Sequence, residues 1–407
     1  MTVLPRLLVL LTLFCVIALT GCREKAAVRP AVDPGPVQTQ PRVADKVPAP
    51  PEKPDMRTER QREVCDSIAA AGGGIEHDVD GYVVGIDLAS DRVLADDELV
   101  RAVLEFPHLR RLHLTVSTAT PETLAGLASL GDLEDLLLQA APIDDAALTN
   151  ILRATPVLRR LTLRRLSQVT DAALAALPEC QALEVVALIE MSGITGAAID
   201  SLRRVERMRS LDVRSCGQLT TADFAQLVSL PTIAELKVGG PAVTDQVLGI
   251  LAQHPALTSL SVDEAQITAA CLQQLAGSPE LAGRLRSLSF FRCLGVTDES
   301  LKTLRGFPAL ETLALRKIML TGSFLQFLQD DADQPLPLKT LVITNAFLTD
   351  ESLTPLPGLC PALTRLDLSG NKRVTNAVLD ILKQLRPLRE VNLKDTGVTQ
   401  QWSPQIE

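Results

Sequence analysis

One six-residue pattern recurs along most of this chain. Leu-x-x-Leu-x-Leu, with other aliphatic residues in some places, begins at Val83, Leu109, Leu133, Leu158, Leu183, Met208, Ile233, Leu257, Leu285, Leu310, Leu338, Leu363 and Leu388. The steps are 26, 24, 25, 25, 25, 25, 24, 28, 25, 28, 25 and 25 residues. A unit that short cannot bury its own apolar side, so the units must stack and share one core. The 407 residues therefore need not split into two or three separate domains, as length alone would suggest.

Two periods alternate within a unit. In Leu158-Arg-Arg-Leu161-Thr-Leu163 the closing apolar pair has period two, which predicts a short strand with Leu161 and Leu163 pointing inward. About eleven or twelve residues after each start comes an apolar residue, then Thr, then often Asp. Examples are Val169-Thr170-Asp171, Val243-Thr244-Asp245, Val296-Thr297-Asp298 and Leu348-Thr349-Asp350. Thr caps a helix, and Asp in the first turn suits the helix dipole. Leu174 and Leu177, or Leu301 and Leu304, follow at helical spacing, and Pro178, Pro255, Pro308 and Pro387 are expected to close helices. The expected fold is α/β, a solenoid with parallel strands on its concave face and helices on its convex face.

The unit resembles the cysteine-containing class of leucine-rich repeat, with its 25–26-residue period and Ile-Thr-Asp helix start, over residues 83–400. Eukaryotic F-box adaptors use this class, but no F-box-like segment precedes the repeats here. The stretch Ile68 to Gly74, followed by Asp78-Val-Asp-Gly81-Tyr82-Val83-Val84-Gly85-Ile86-Asp87-Leu88, is more similar to the opening of bacterial secreted and lipoprotein leucine-rich-repeat proteins, abundant in planctomycetes. One departure is at the ninth position, where the class carries Asn or Cys. Only Cys216, Cys293 and Asn371 comply, against Ala141, Met191 or Ala265 elsewhere. The turn's backbone groups then need other partners.

The first residues read as an address. Arg6 precedes an apolar run from Leu7 to Leu19, broken only by Thr12. As a helix it spans about 20 Å, short of a bilayer's roughly 30 Å core, so it reads as a signal peptide. It ends Leu19-Thr20-Gly21-Cys22, which resembles a lipobox and implies acylation of Cys22. More than one acyl chain anchors stably. Residues 1–21 are thus assigned to the signal, 22–54 to the lipidated cysteine and a Pro-rich tether, 55–82 to an N-terminal cap, and 83–407 to the solenoid. In the cap, Asp55 is expected to start a helix running to about Ala71, with Val64 and Ile68 on one face and Gly72-Gly73-Gly74 ending it. At the other end Trp402 is expected to cover the last unit. The expected location is the cell envelope, on the periplasmic or outer-membrane face.

Composition excludes some functions. Aromatics are 3%, with one Trp and one Tyr, so stacking platforms for bases are scarce. Formal charge is −9, which disfavours nucleic acid. Removing the net +2 of residues 23–54 and Arg6 leaves −12 on the body. After Cys15 and Cys22, six cysteines remain, none in a Cys-x-x-Cys pair, and they read as buried structural thiols. His77, His108, His113 and His254 lie in scattered elements. His108 and His254 adjoin prolines and are expected at the surface or at helix ends. Asp330, Asp331 and Asp333 form an acidic loop without a full calcium-ligand pattern. No catalytic group, metal or cofactor is expected.

The strands' outward positions are the candidate binding surface. At the second position Arg110, Glu134, Arg159, Glu184 and Arg209 alternate in sign and should form a ladder. Beside them Arg111, His113, Arg160, Arg164, Arg165 and Arg214 suggest a basic patch for an acidic protein or anionic glycan. Phe291, Arg292, Arg316 and Lys317, just past two adjacent strands, form a second candidate, since an aromatic beside Arg is a common interface anchor. The expected function is a lipid-anchored binding scaffold. The alternative is a structural protein of the envelope, and an enzyme is the remote third.

Overall fold

The computed structural model describes residues 57–402, apart from 71, 89–94, 116 and 331–333. The chain divides into residues 1–52 and 53–407, and the second unit is the one described. The expected signal peptide, Cys22, the tether, Asp55, Asp331 and Asp333 lie outside the described residues.

The second unit holds one sheet of fourteen strands in chain order. They are β1 (Gly74–His77), β2 (Val83–Leu88), β3 (Arg111–Thr115), β4 (Asp135–Gln139), β5 (Arg160–Arg164), β6 (Val185–Ile189) and β7 (Ser210–Asp212). Then come β8 (Glu235–Gly239), β9 (Ser259–Asp263), β10 (Ser287–Phe291), β11 (Thr312–Arg316), β12 (Thr340–Thr344), β13 (Arg365–Asp367) and β14 (Glu390–Asn392). From β2 onward every neighbouring pair is parallel, one strand for each of the thirteen repeats.

Register follows the motif. Leu136 faces Leu161, which faces Val186, which faces Leu211. A slip of one residue would turn every Leu outward, so burial of one face fixes the pairing. Leu161, Leu163, Leu366 and Leu368 are all buried, as the alternation requires. The buried cluster is continuous from Val64 to Leu388, and Trp402 packs against its end. Each fully buried Leu contributes about 1.5–3 kcal/mol.

The cap adds a strand that periodicity does not disclose. Helix α1 (Glu59–Ala70) buries Val64, Cys65 and Ile68, and Thr58 and Gln61 exchange hydrogen bonds across its first turn. Gly72, at φ +87°, turns the chain into β1, which pairs antiparallel with β2. A side chain at Gly73 would meet Ile68 at 2.6 Å and the Asp87 carbonyl oxygen at 2.9 Å.

The turn after each strand answers the question of missing partners. The eighth residue of the unit is left-handed at Ala140, Arg165, Glu190, Ser215, Gly240, Glu264, Arg292, Lys317, Asn345, Gly370 and Asp395. A non-glycine residue there costs roughly 1–2 kcal/mol. The conformation lets its N–H donate to the next unit: Ala140 to the Arg164 carbonyl at 2.9 Å, Arg292 to Arg316 at 3.0 Å, Lys317 to Thr344 at 2.9 Å. The ninth-position side chains act only where they exist. Asn371 Nδ2 donates to the Ile343 carbonyl at 2.7 Å, and Cys216 Sγ to that of Leu188 at 3.1 Å.

At the helix entries Asp does more than complement a dipole. The Asp of one unit accepts from the Thr of the next: Asp145 from the Thr170 N–H at 2.7 Å and hydroxyl at 2.6 Å, Asp171 likewise from Thr195. Asp245 with Thr268, Asp298 with Thr321 and Asp350 with Thr375 repeat it. Where the preceding unit has Gly196, Ala269 or Gly322 instead, the Thr N–H turns to its own helix. Thr220 then donates to Asp223, Thr297 to Ser300 and Thr349 to Ser352.

Two expectations need correction. Pro178 does not close a helix but sits inside a 3-10 turn, Leu177–Glu179, where its missing N–H costs nothing. The segment after Thr297 is a 3-10 helix, Ser300–Gly306, that still buries Leu301 and Leu304.

Candidate functional site

Third and fifth positions of the motif point away from the helices and make the exposed sheet face. On β2–β8 this face is charged. Asp135 lies between three basic side chains: Arg160 Nη1 at 3.0 Å, His113 Nε2 at 3.4 Å and Arg111 Nε at 3.7 Å. Arg111 also reaches Glu76 at 2.5 Å, and His113 Nδ1 lies 3.7 Å from Asp87. Burial opposes ionisation of Asp135, but hydrogen bonds from His113 and Arg160 outweigh it and hold the carboxyl below its ordinary range. The same bond, accepted by Asp135, raises the pKa of His113.

At the strands' far ends Arg164 and Arg165 both pair with Glu190 at 2.6 Å. Those bonds, Arg165 first, bring Glu190 down to about 2. Arg214 is bidentate to Asp212, at 2.8 and 2.7 Å, and its other nitrogen reaches Asp263 at 2.5 Å. That reach skips a unit. It passes over Gly239, where an added Cβ would lie 3.3 Å from Arg214 Cγ and 2.6 Å from the Asp263 carbonyl oxygen.

The expected basic patch is therefore an ion-paired network. Arg111, His113, Arg160, Arg164, Arg165 and Arg214 each have a carboxylate partner, drawn from Glu76, Asp87, Asp135, Glu190, Asp212 and Asp263. Unpaired positive charge, the reason for expecting an anionic ligand here, is absent from these six. The second-position ladder is present as Arg110–Glu134–Arg159–Glu184, at 4.0, 3.7 and 3.7 Å. It stops before Arg209, which forms no ion pair among the described residues. Such exposed pairs contribute about 0–1 kcal/mol each.

The two sequence candidates meet in part. A groove of about 340 Å³ is lined by Arg164, Ile189, Glu190, Arg214, Ser215, Asp263, Glu264 and Phe291. It joins Arg164 and Arg214 of the first group to Phe291 of the second. Arg111 and Arg160 line a separate groove of about 390 Å³, with Glu76 and Asp135, toward the strand starts. Phe291 is half-buried, with the Arg292 guanidinium 5.1 Å and the Lys317 ammonium 5.6 Å from its ring centre. Arg292 pairs with Glu264 at 2.7 Å, while the Arg316 side chain bonds Ser289, at 3.2 Å, and forms no ion pair among the described residues. Glu190, Asp263, Glu264 and Gly239 were missed by sequence reasoning. Aligning seventh and eighth positions in columns would have shown them.

Strands β9–β12 present a different face, small and uncharged: Ser259, Ser261, Ser287, Ser289, Thr312 and Thr340 are half-buried, and Ala314 and Val342 are buried between them. Their parallel register stacks these into a neutral floor.

The remaining chemistry-bearing residues do not converge. Cys65, Cys180, Cys216, Cys271, Cys293 and Cys360 are free and buried. Burial pushes Cys180, Cys216 and Cys293 up to about 11, and Cys271 and Cys360 to about 12. His108 is exposed, its ring 4.6 Å from that of Tyr82. His254, expected at the surface or at a helix end, follows the end of the helix Asp245–Leu251 but is fully buried. Its Nε2 lies 2.9 Å from the Leu230 carbonyl oxygen, and its Nδ1 accepts the Ala256 N–H at 3.2 Å. Burial lowers its pKa. Among the described residues no group of His, Cys, Asp and Glu is placed to hold a metal. No helix among them is long and apolar enough to cross a membrane.

Known proteins resemble this architecture. A family model describing the leucine-rich repeats of an FBD-associated F-box protein matches residues 82–175. The fold is a leucine-rich-repeat solenoid. Yeast Rad7, solved in complex with Elc1, is similar at 20% identity over 76% of each chain, TM-score 0.47. An internalin, InlF, of Listeria monocytogenes is similar at 17% identity over 84% of this chain and 89% of that one, TM-score 0.36. No curated protein matches.

Proposed function

We propose that this chain is a cell-envelope scaffold that holds another protein against its sheet face. Cys22 carries the acyl chains, and residues 23–54 are the tether. The observation that carries the reading is the pairing of the 340 Å³ groove at Phe291 with the neutral floor beside it. An aromatic and a small-residue surface can be covered without stripping water from unpaired charge. Since the six cations are already paired, a protein is favoured over an anionic glycan.

Two experiments test it. A photo-crosslinking residue at Ser261, in cells making the full chain, should capture a discrete partner, while one at Lys302 should not. Equal capture, or none, rules the sheet face out. Cys22→Ser should abolish palmitate labelling and release the chain from membranes, and retention would reject the anchor. A structural role in envelope assembly is the second reading. It rests on β14, the last strand of the sheet, beyond which no described strand pairs. Light scattering of the purified chain separates them, since end-to-end growth gives mass that rises with concentration.

A further inference from the structure

Three successive units place large apolar side chains in water. Leu294, Met319 and Phe347 are 77, 70 and 49% exposed. Each stands tenth in its unit, two residues after the left-handed Arg292, Lys317 and Asn345. Elsewhere this column holds small or polar residues such as Thr118, Ser167, Ser192 and Gly217. The units stay in step: Phe291 faces Arg316, which faces Thr344, and the Phe347 N–H donates to the Leu320 carbonyl at 2.8 Å. At about 4.8 Å between strands the three form a ridge roughly 10 Å long.

The charges beside it are unlike those of the sheet face. Arg316, Lys317, Lys372 and Arg373 are exposed, and none forms an ion pair among the described residues. Lys372 is itself tenth in the next unit, so the column ends on a cation. Unpaired positive charge is thus gathered on a body of net charge −12.

We propose that this ridge docks an extended, acidic segment of a partner protein, its apolar side chains on Leu294, Met319 and Phe347 and its carboxylates toward Arg316, Lys317, Lys372 and Arg373. Charge complementarity selects this occupant. A second copy brings the same −12, the tether at 23–54 is itself net +2, and an anionic bilayer repels the acidic body. The inference rests on the protein-binding reading and gives the partner a chemistry and a second foothold.

The test pans the full chain, in detergent, against a displayed library of random linear peptides. Enriched peptides should mix Asp or Glu with Leu, Ile or Phe and bind more weakly as salt rises. Met319→Glu, at an exposed site, should weaken them about tenfold or more, as loss of an interface anchor does. Arg316→Glu with Lys317→Glu should do the same, and Ser261→Arg should leave them unchanged. Thermal melts of each variant confirm folding. Enrichment without acidic residues, or indifference to Met319→Glu, overturns the ridge. Peptides lost in Ser261→Arg but not in Met319→Glu leave the sheet-face reading standing and reject the ridge alone. If no peptide responds to either variant, both fail. Flotation with phosphatidylglycerol vesicles, or a dimer by light scattering, that Met319→Glu abolishes would also overturn it, assigning the ridge to a membrane or to a second copy.

Discussion

Strands β2–β8 and β9–β12 share one core and one register, yet their outward columns differ. On the first block each candidate cation is answered by a carboxylate, and Asp135 alone draws Arg111, His113 and Arg160 toward it. On the second the columns are Ser, Thr, Ala and Val, and charge moves to the strand end and turn, where Arg316 and Lys317 form no ion pair among the described residues. A paired network fixes neighbouring strands to one another and has little left for a ligand. A neutral floor adds little to register and leaves the surface open. The repeat thus separates holding itself together from holding something else.

Four measurements probe that contrast. Leu138→Ala and Leu315→Ala remove fully buried side chains from the two blocks and should each cost about 2–5 kcal/mol in urea unfolding. Unequal losses would show that the blocks differ in the core and not only outside. Asp135→Ala should cost about 2–3 kcal/mol, because Arg111 and Arg160 lose a shared carboxylate and His113 its hydrogen-bond acceptor, whereas Ser289→Ala should stay within about 0.5 kcal/mol. Equal effects would erase the distinction. Histidines give the pH signature. His113 has a raised folded pKa, so its contribution is complete below pH 6.5 and lost as pH rises through the folded value. His254 has a lowered one, so its contribution is complete above pH 6.5 and lost as pH falls through the folded value. His113→Gln should therefore lie furthest below wild type in acid, and His254→Gln should flatten the acid decline. A gap for His113→Gln that widens in alkali contradicts the assigned pairing. Smallest is a gain at the junction of the blocks. Thr244 has no side-chain cap, and the preceding unit offers Thr221 at the place where Asp145, Asp171, Asp245, Asp298 and Asp350 serve the Thr of the next unit. Thr221→Asp should raise stability by about 0.5–1 kcal/mol.

Much of this was legible before any coordinates. Leu161 and Leu163 had to face inward because only one face of a period-two strand can join a shared core. The rungs Arg110, Glu134 and Arg159 followed once the units were aligned. Other features were not. Nothing in Arg165, Glu190 or Lys317 advertises a left-handed backbone, which a neighbouring carbonyl imposes on whatever residue stands eighth. His254 reads as polar, and its burial depends on the Leu230 carbonyl lying 24 positions away. The ion pairing of the basic patch was not legible from Arg alone, because Glu190 and Asp263 occupy the same columns in other units. Leu294, Met319 and Phe347 pass as ordinary apolar residues until the turn places them outside.

The helix-entry bonds carry a consequence for how such a chain can be cut and rejoined. Thr170, Thr195, Thr268, Thr321 and Thr375 borrow their acceptor from the module before, so a deletion that removes that module strands a polar group. Thr220, Thr297 and Thr349 bring their own. Junctions just ahead of those three are natural splice points, where modules can be shortened, duplicated or exchanged without orphaning an amide. The array has a grammar of order, written in whether the third residue after each Thr is Asp or Ser, as at Asp223, Ser300 and Ser352, or has no side-chain oxygen to offer, as at Ala173, Ala198, Cys271, Phe324 and Val378.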